Sequence, residues 1–155
     1  MSTPRPPARS AEQRRLDTLH RLEHDVDAWV ATADATTGTP YLVPLSFRWD
    51  GETILIATVS TSPTARNLLA GGTARLGIGP TRDVIIIEAD AEPVAVADMA
   101  AETADAFAAA CGFDPRVAGA PYHYFHLRPR LLQAWREANE LKGRTLLRDG
   151  DWLHP

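Results

Sequence analysis

The feature that most constrains the fold is a run of three β-rich segments over residues 27–59, "DAWVATADATTGTPYLVPLSFRWDGETILIATV". A Thr-Gly turn separates the first segment from the second, and Asp50-Gly51, a strong hairpin signal, separates the second from the third. This pattern predicts a three-stranded antiparallel meander. Pro44 has no N–H to donate to a strand ladder, so the second strand should have an open stretch or a bulge there.

Further β-rich segments follow. They are "TARLGIG", "VIIIEADAEPVAV" as a strand pair or one bent strand, "YHYFHLRPRLLQAW", and a closing hairpin around Asp149-Gly150. A run of helix formers, "MAAETADAFAAACG", predicts a helix that ends at Gly112. Six or more antiparallel strands with peripheral helices predict a mainly β (α+β) fold, and closure into a small barrel would remove exposed strand edges.

The N-terminal region divides into a tail and a helix. Residues 1–9, rich in proline and arginine, are predicted to be a mobile tail, and residues 10–155 a single domain. A capping box formed by Ser10 and Gln13 predicts a helix that starts there and ends near His24. Its apolar residues repeat at spacings of three and four, at Leu16, Leu19, Leu22 and Val26.

Composition argues against several classes of function. The net charge is −4 with no dense basic run, which argues against nucleic-acid binding. The single cysteine, Cys111, cannot form an intrachain disulfide, and this favours a reducing compartment, with the cytoplasm as the default. No apolar run is long enough to span a bilayer, and the N-terminus has no apolar signal-peptide core, so neither membrane insertion nor export is expected.

Other candidate sites are weaker. His20 and His24 are four residues apart on the first helix, but no further ligands complete a metal site, so none is predicted. His123 and His126 lie on a predicted strand, where they are expected to be packing histidines, or one of them could reach the mouth of an active site or a haem. Cys111 is expected to be a small buried hydrophobe, and no catalytic acid or base is predicted.

The segment "TVSTSPTARNLLAGG", residues 58–72, combines helix-capping and anion-binding features. Ser62 as N-cap and Pro63 as first helical residue explain why a helix begins here, with Ala65, Leu68 and Leu69 as its buried stripe. Arg66 is then unfavourably placed near the positive end of the helix dipole, unless an anion binds there. The segment is therefore either a cap alone or a phosphate site built from N–H groups, hydroxyls and Arg66.

The strand order "YLVPLSF", "ILIATVSTSPTARNL", "TARLGIG" resembles the flavin-binding split-barrel family of pyridoxamine 5′-phosphate oxidase, from about Ala28 to Val96. The resemblance implies a homodimer with interfacial sites and FMN-dependent hydride transfer to or from a small substrate. It places the FMN phosphate at Ser60, Thr61, Ser62, Thr64, Arg66 and Asn67, the ribityl chain at Ala57 and Thr58, and the ring edge at Val43, Pro44, Leu45 and Ser46.

The resemblance also leaves alternatives. Family members that oxidise vitamin B6 have basic residues where this chain has Pro63 and Thr64, so that substrate is not expected. Other members of the family bind haem or a deazaflavin coenzyme, and Arg48, Arg75 or Arg82 could hold the polyanionic tail of the deazaflavin. The resemblance also allows a function of another class: a carrier or sensor that binds flavin or haem without turnover. Trp135 and Arg136 are either a core tryptophan with a surface arginine or, as the resemblance implies, residues that reach the flavin across a dimer interface.

Overall fold

The computed structural model describes residues 3–154, which form eight strands and three α-helices. The helices are α1 (Ala11–His24), α2 (Pro63–Gly71) and α3 (Ala101–Cys111). The strands are β1 (Asp27–Ala33), β2 (Pro40–Trp49), β3 (Ile54–Val59), β4 (Thr73–Ile78), β5 (Val84–Ala95), β6 (Tyr122–Trp135), β7 (Thr145–Arg148) and β8 (Asp151–Trp152). Three short 3₁₀ segments lie in the connections of this part of the chain.

All strand pairs are antiparallel, and six of the strands close into a barrel. The sheet order is β3-β2-β1-β4-β5-β6-β7-β8. β3 also pairs with β6, and this pairing joins the two edge strands of the sheet formed by the first six strands in that order. The predicted split barrel with peripheral helices is therefore confirmed. Residues 84–95 form one strand with a register shift between Glu88 and Ala89. Of the two alternatives for this segment, one bent strand is therefore correct and a strand pair is not.

The barrel is open between β2 and β3. β2 pairs with β1 along residues 40–46, but its pairing with β3 is confined to Phe47, Arg48 and Trp49. The expected open stretch at Pro44 is thus present, and the backbone edge of residues 40–46 that faces away from β1 pairs with no strand in the described chain. This edge is the split of the barrel.

Two apolar clusters hold the fold together. The larger fills the barrel and includes Val30, Ile56, Leu76 and Phe125, each at most 1% exposed. The smaller lies outside the β3–β6 wall, where α3 places Phe107 against Leu55, Ala57 and Tyr124.

The inward face of α1 differs from the predicted leucine stripe. Ser10 caps the helix as predicted, since its side chain accepts a hydrogen bond from the Gln13 N–H. Arg14, Thr18 and Leu22 are buried, whereas Leu16 and Val26 are 48% and 43% exposed. The reason is that α1 packs partly on a polar surface, where Arg14 donates to the Glu140 carbonyl oxygen.

The predicted tail is anchored at its C-terminal end. Residues 3–9 have no secondary structure, but Arg9 bonds to Asp17 and Glu140, and the Pro6 carbonyl accepts a hydrogen bond from Asn139. These bonds tie the end of the segment to α1 and to the region after β6, and the first two residues lie outside the described part. Every helix within residues 3–154 is too short or too polar to cross a membrane.

Candidate functional site

The N-terminus of α2 has the cap that the sequence predicts. The Ser62 side chain accepts a hydrogen bond of 3.1 Å from the Ala65 N–H, Pro63 is the first helical residue, and Gly72 ends the helix with φ at 70°. One detail of the prediction is wrong, because Leu69 is 50% exposed while Thr64 is buried. Thr64 in the first turn of the helix therefore faces the body of the protein, and Leu69 does not.

Hydroxyl groups and β6 surround this helix start. The Thr58 and Ser62 hydroxyls lie 3.1 Å apart, and the Ser60 hydroxyl lies 3.1 Å from Nδ1 of His123. β3 and β6 pair Thr58 with His123, which explains why this histidine of the predicted strand reaches the loop. Sequence reasoning left the choice between His123 and His126 open, and the strand register brings only His123 to the helix start.

The backbone N–H groups at the helix start differ in their partners. The Ser60 and Ser62 N–H groups donate to the carbonyls of Pro121 and Val59, and the Ala65 N–H donates to the cap. The N–H groups of Thr61 and Thr64 have no acceptor among residues 3–154. Thr64 is only 1% exposed, whereas Thr61 is exposed, so of these two N–H groups the one of Thr61 can receive an oxyanion.

Arg66 and Asn67 differ in their environments. Arg66 is exposed, and within the described chain its guanidinium makes neither an ion pair nor a hydrogen bond. Asn67 is 9% exposed and its side-chain amide donates to the Thr32 hydroxyl at 3.1 Å, which ties α2 to β1. Both residues line a pocket of about 410 Å³ between α2 and the β1–β2 hairpin. Arg66 is thus a cation without a partner in residues 3–154, and Asn67 positions the helix that carries it.

The residues proposed for the ring and the ribityl chain lie on either side of the split. Pro44 is exposed, Val43, Leu45 and Ser46 are half-buried, and the Ser46 hydroxyl donates to Asp27 at 2.8 Å. Ala57 is only 3% exposed and packs in the cluster under α3, so its predicted contact with the ribityl chain stays a prediction.

Trp135 and Arg136 lie at the opposite end of β6 from His123. Trp135 pairs with Val84 in the sheet, and the Arg144 guanidinium sits 5.2 Å from the centre of its ring. The Arg136 side chain donates to Asp83 at 3.2 Å. Within one protomer the structure does not bring these two residues to α2, so their predicted contact with the cofactor stays a prediction that needs a second subunit.

Most of the other candidate residues are paired with other side chains or have the wrong chemistry for a site. Arg75 is paired with Glu88 at 2.8 Å and Arg82 with Glu137 at 2.6 Å. Burial raises the pKa of the Cys111 thiol to about 11, so it is protonated at neutral pH and a poor nucleophile. Among residues 3–154, no three histidine, cysteine or acidic side chains are grouped to hold a metal ion.

The barrel, open between β2 and β3 and with the start of α2 beside this split, has the architecture of the split-barrel class. The family model described as pyridoxamine 5′-phosphate oxidase matches residues 21–136. The chain belongs to this family.

Solved structures agree with this fold. The chain is similar to a putative pyridoxamine 5′-phosphate oxidase from Listeria innocua, with 12% identity, a TM-score of 0.62, and 78% of this chain and 97% of the other covered. It is also similar to an F420 reductase, with 18% identity, a TM-score of 0.60, and coverage of 73% and 93%. A third is HutZ, the heme storage protein from Vibrio cholerae, with 18% identity, a TM-score of 0.59, and coverage of 76% and 92%. At such identities these similarities show the fold alone, and no curated protein matches significantly.

Proposed function

We propose that this protein is an FMN-dependent oxidoreductase that binds the phosphate of its cofactor at the start of α2. The observation that carries the proposal is Arg66, an exposed cation in the first turn of a helix, with no acidic partner in the described chain. A cation there opposes the helix dipole, and a bound phosphate would reverse the sign of that interaction. Arginine also offers bidentate geometry for a phosphate group.

The residues around Arg66 fit such a group. The free N–H group of the exposed Thr61 and the hydroxyls of Ser60 and Ser62 supply further donors at the same helix start. The unpaired backbone edge of residues 40–46 supplies hydrogen-bonding groups for the edge of a planar ring. When bound, a flavin supplies the hydride chemistry, and the protein binds it, orients it and excludes water. No side chain is therefore required as a catalytic acid or base.

The charges favour FMN over a deazaflavin coenzyme. The polyanionic tail of a deazaflavin needs several free cations along its path, whereas a phosphate monoester needs one or two. Two of the three arginines considered for such a tail, Arg75 and Arg82, are paired with glutamates. Arg48 and Arg66 have no such partner within residues 3–154, but Arg48 lines a different pocket from Arg66. One unpaired arginine in the pocket at α2 matches one phosphate.

We further propose a homodimer with its two sites at the interface. Trp29 and Leu42 are 54% and 59% exposed on the outer face of β1 and β2, next to the exposed Pro44. Large apolar side chains grouped on one face are typical of protein interfaces. A second copy on this face would exclude water from the split and could bring Trp135 and Arg136 to the site of its partner.

Purification and reconstitution test the cofactor proposal. Protein reconstituted with FMN should be yellow, show flavin absorbance bands and be bleached by NAD(P)H under anaerobic conditions. A flavin spectrum that no reductant of this type bleaches would instead favour a carrier or sensor. A Soret band after expression with haem would favour haem binding. A folded, colourless protein that binds neither FMN nor deazaflavin would overturn the proposal.

A further inference from the structure

The pocket between α2 and the β1–β2 hairpin extends beyond the proposed phosphate site. Its volume is about 410 Å³, and α2 contributes the face that carries Pro63, Arg66 and Asn67. The hairpin contributes the opposite wall, which includes Asp34, Thr36 and Tyr41 at the open end of the barrel. A ligand bound at Arg66 would therefore extend toward the hairpin.

The two walls carry opposite charges that do not meet. The Arg66 guanidinium and the Asp34 carboxylate are more than the 4.0 Å of an ion pair apart, yet Arg66 contributes to lowering the pKa of Asp34. Hydrogen bonds from the N–H groups of Thr37 and Thr36 are the main cause of that lower pKa. Asp34 is consequently ionised at neutral pH, and its negative charge faces the pocket that Arg66 lines.

Asp34 is held in place by the turn that it organises. Its Oδ1 accepts hydrogen bonds of 2.9 and 2.8 Å from the Thr36 and Thr37 N–H groups, and its backbone N–H donates to the Thr39 carbonyl. An anion in the pocket therefore cannot displace this carboxylate without breaking the hairpin. The fixed carboxylate repels a second anionic group of any ligand that extends along the pocket.

We propose that Asp34 is a specificity-determining residue, which admits a cofactor that ends at one compact phosphate and repels an extended polyanionic tail. The inference rests on the proposed function, because it assumes that the cofactor phosphate binds at Arg66. It adds a mechanism of selection: Arg66 attracts the first anionic group, and Asp34 opposes every further one that enters the pocket.

Binding titrations test the inference without any assay of turnover. Apo protein is titrated with FMN, with a deazaflavin coenzyme that carries its oligoglutamate tail, and with the same deazaflavin lacking the tail, and ligand fluorescence is followed. Asp34→Asn keeps the Oδ1 acceptor of the turn and removes only the charge. We expect it to tighten binding of the tailed deazaflavin by about fivefold, the scale of an exposed charge interaction, and to change FMN and the tail-less form less than about twofold.

Asp50→Asn is the matched control. Asp50 organises the β2–β3 turn in the same way, through hydrogen bonds from the Glu52 and Thr53 N–H groups, and it does not line the pocket. Asp50→Asn should leave the affinities for FMN and for both deazaflavins unchanged, although it changes the net charge by the same amount as Asp34→Asn. A second variant, Thr36→Lys, adds a cation to the same wall, leaves the Asp34 carboxylate in place and should also tighten binding of the tailed form.

The outcomes separate the two proposals. If wild type binds FMN but Asp34→Asn and Thr36→Lys leave the affinity for tailed deazaflavin unchanged, the selection by Asp34 is wrong. The same holds if wild type binds the tailed form more tightly than FMN. If folded wild type binds none of the three ligands, the proposed function itself fails.

Discussion

Arg9 and Glu140, 131 residues apart in the chain, are joined by three hydrogen bonds. The Arg9 backbone N–H, Nε and Nη2 donate to the Glu140 carboxylate at 2.9, 3.0 and 2.9 Å. Glu140 is 2% exposed and also accepts a hydrogen bond from the Arg136 N–H. The buried ion pair between Arg9 and Glu140 therefore links the segment before α1 to the region directly after β6.

Removing the charge of Glu140 should destabilise the protein strongly. Glu140→Gln keeps the shape of the side chain but leaves the Arg9 guanidinium largely buried without its main counter-ion, at a cost of about 3 kcal/mol in the free energy of unfolding. Urea denaturation measures this value. Glu137→Gln is the control, because its partner Arg82 is 79% exposed and the loss should stay below about 0.5 kcal/mol. Equal losses in both variants would contradict the prediction.

The same pair predicts a loss of stability in acid. The hydrogen bond from Arg9 is the main cause that lowers the pKa of Glu140 to about 2, from 4.5 in an unfolded chain. Since the folded pKa is the lower one, this contribution is fully present above pH 4.5 and is lost as the pH falls toward 2. The difference in unfolding free energy between wild type and Glu140→Gln should shrink across this range. A difference independent of pH would show that the charge is not the cause.

Local signals in the sequence were enough to predict much of the fold and the local structure at the start of α2. The Ser62 cap depends on residues three positions apart, and the opening at Pro44 follows from its missing N–H, so neither needs tertiary information. The exposures of Leu16 and Leu69 were not predictable in this way. Helix periodicity defines a face but not the chemistry of the surface on which that face packs.

The features of the candidate site that the sequence did not predict depend on contacts between distant segments. Asp34 and Arg66 line one pocket because the β1–β2 hairpin and α2 meet at the same end of the barrel, and no spacing in the sequence encodes that meeting. The contact of His123 with Ser60 likewise depends on the register between β3 and β6. A sequence signal for Asp34 did exist, since an aspartate before "ATTGT" is typical of a turn closed by its side chain.

Replacing Tyr124 by phenylalanine should not destabilise the protein. Tyr124 is fully buried, and its hydroxyl has no hydrogen-bond partner in the described chain. Removing an unsatisfied buried hydroxyl should raise the free energy of unfolding by up to about 1 kcal/mol. Thermal or urea denaturation measures it, with Tyr122→Phe as a half-buried control. A loss of stability in Tyr124→Phe would mean that the hydroxyl is bonded in solution.

The outer face of the barrel should determine the oligomeric state. Leu42→Glu places a charge in the middle of the proposed interface, where burial of an unpaired carboxylate is costly, so the dimer should dissociate to monomers of 16.9 kDa. Sedimentation velocity at micromolar concentration measures the mass. Val117→Glu is the control, since Val117 is 79% exposed on the connection before β6 and should leave the dimer intact. A monomeric wild type would refute the proposed assembly.

The last prediction separates helix capping from anion binding. Arg66→Ala removes the proposed phosphate ligand and should weaken FMN binding by about 1.5 to 3 kcal/mol, or roughly 10-fold to 150-fold, the strength of a charge-assisted hydrogen bond. The stability of the apo protein should barely change, because relief of the unfavourable position near the positive end of α2 offsets the loss of the weak attraction to Asp34. Arg148→Ala, an exposed arginine of β7 without an ion pair in the described chain, is the control and should change neither quantity. A loss of apo stability without a loss of affinity would show that the start of α2 is a cap and nothing more.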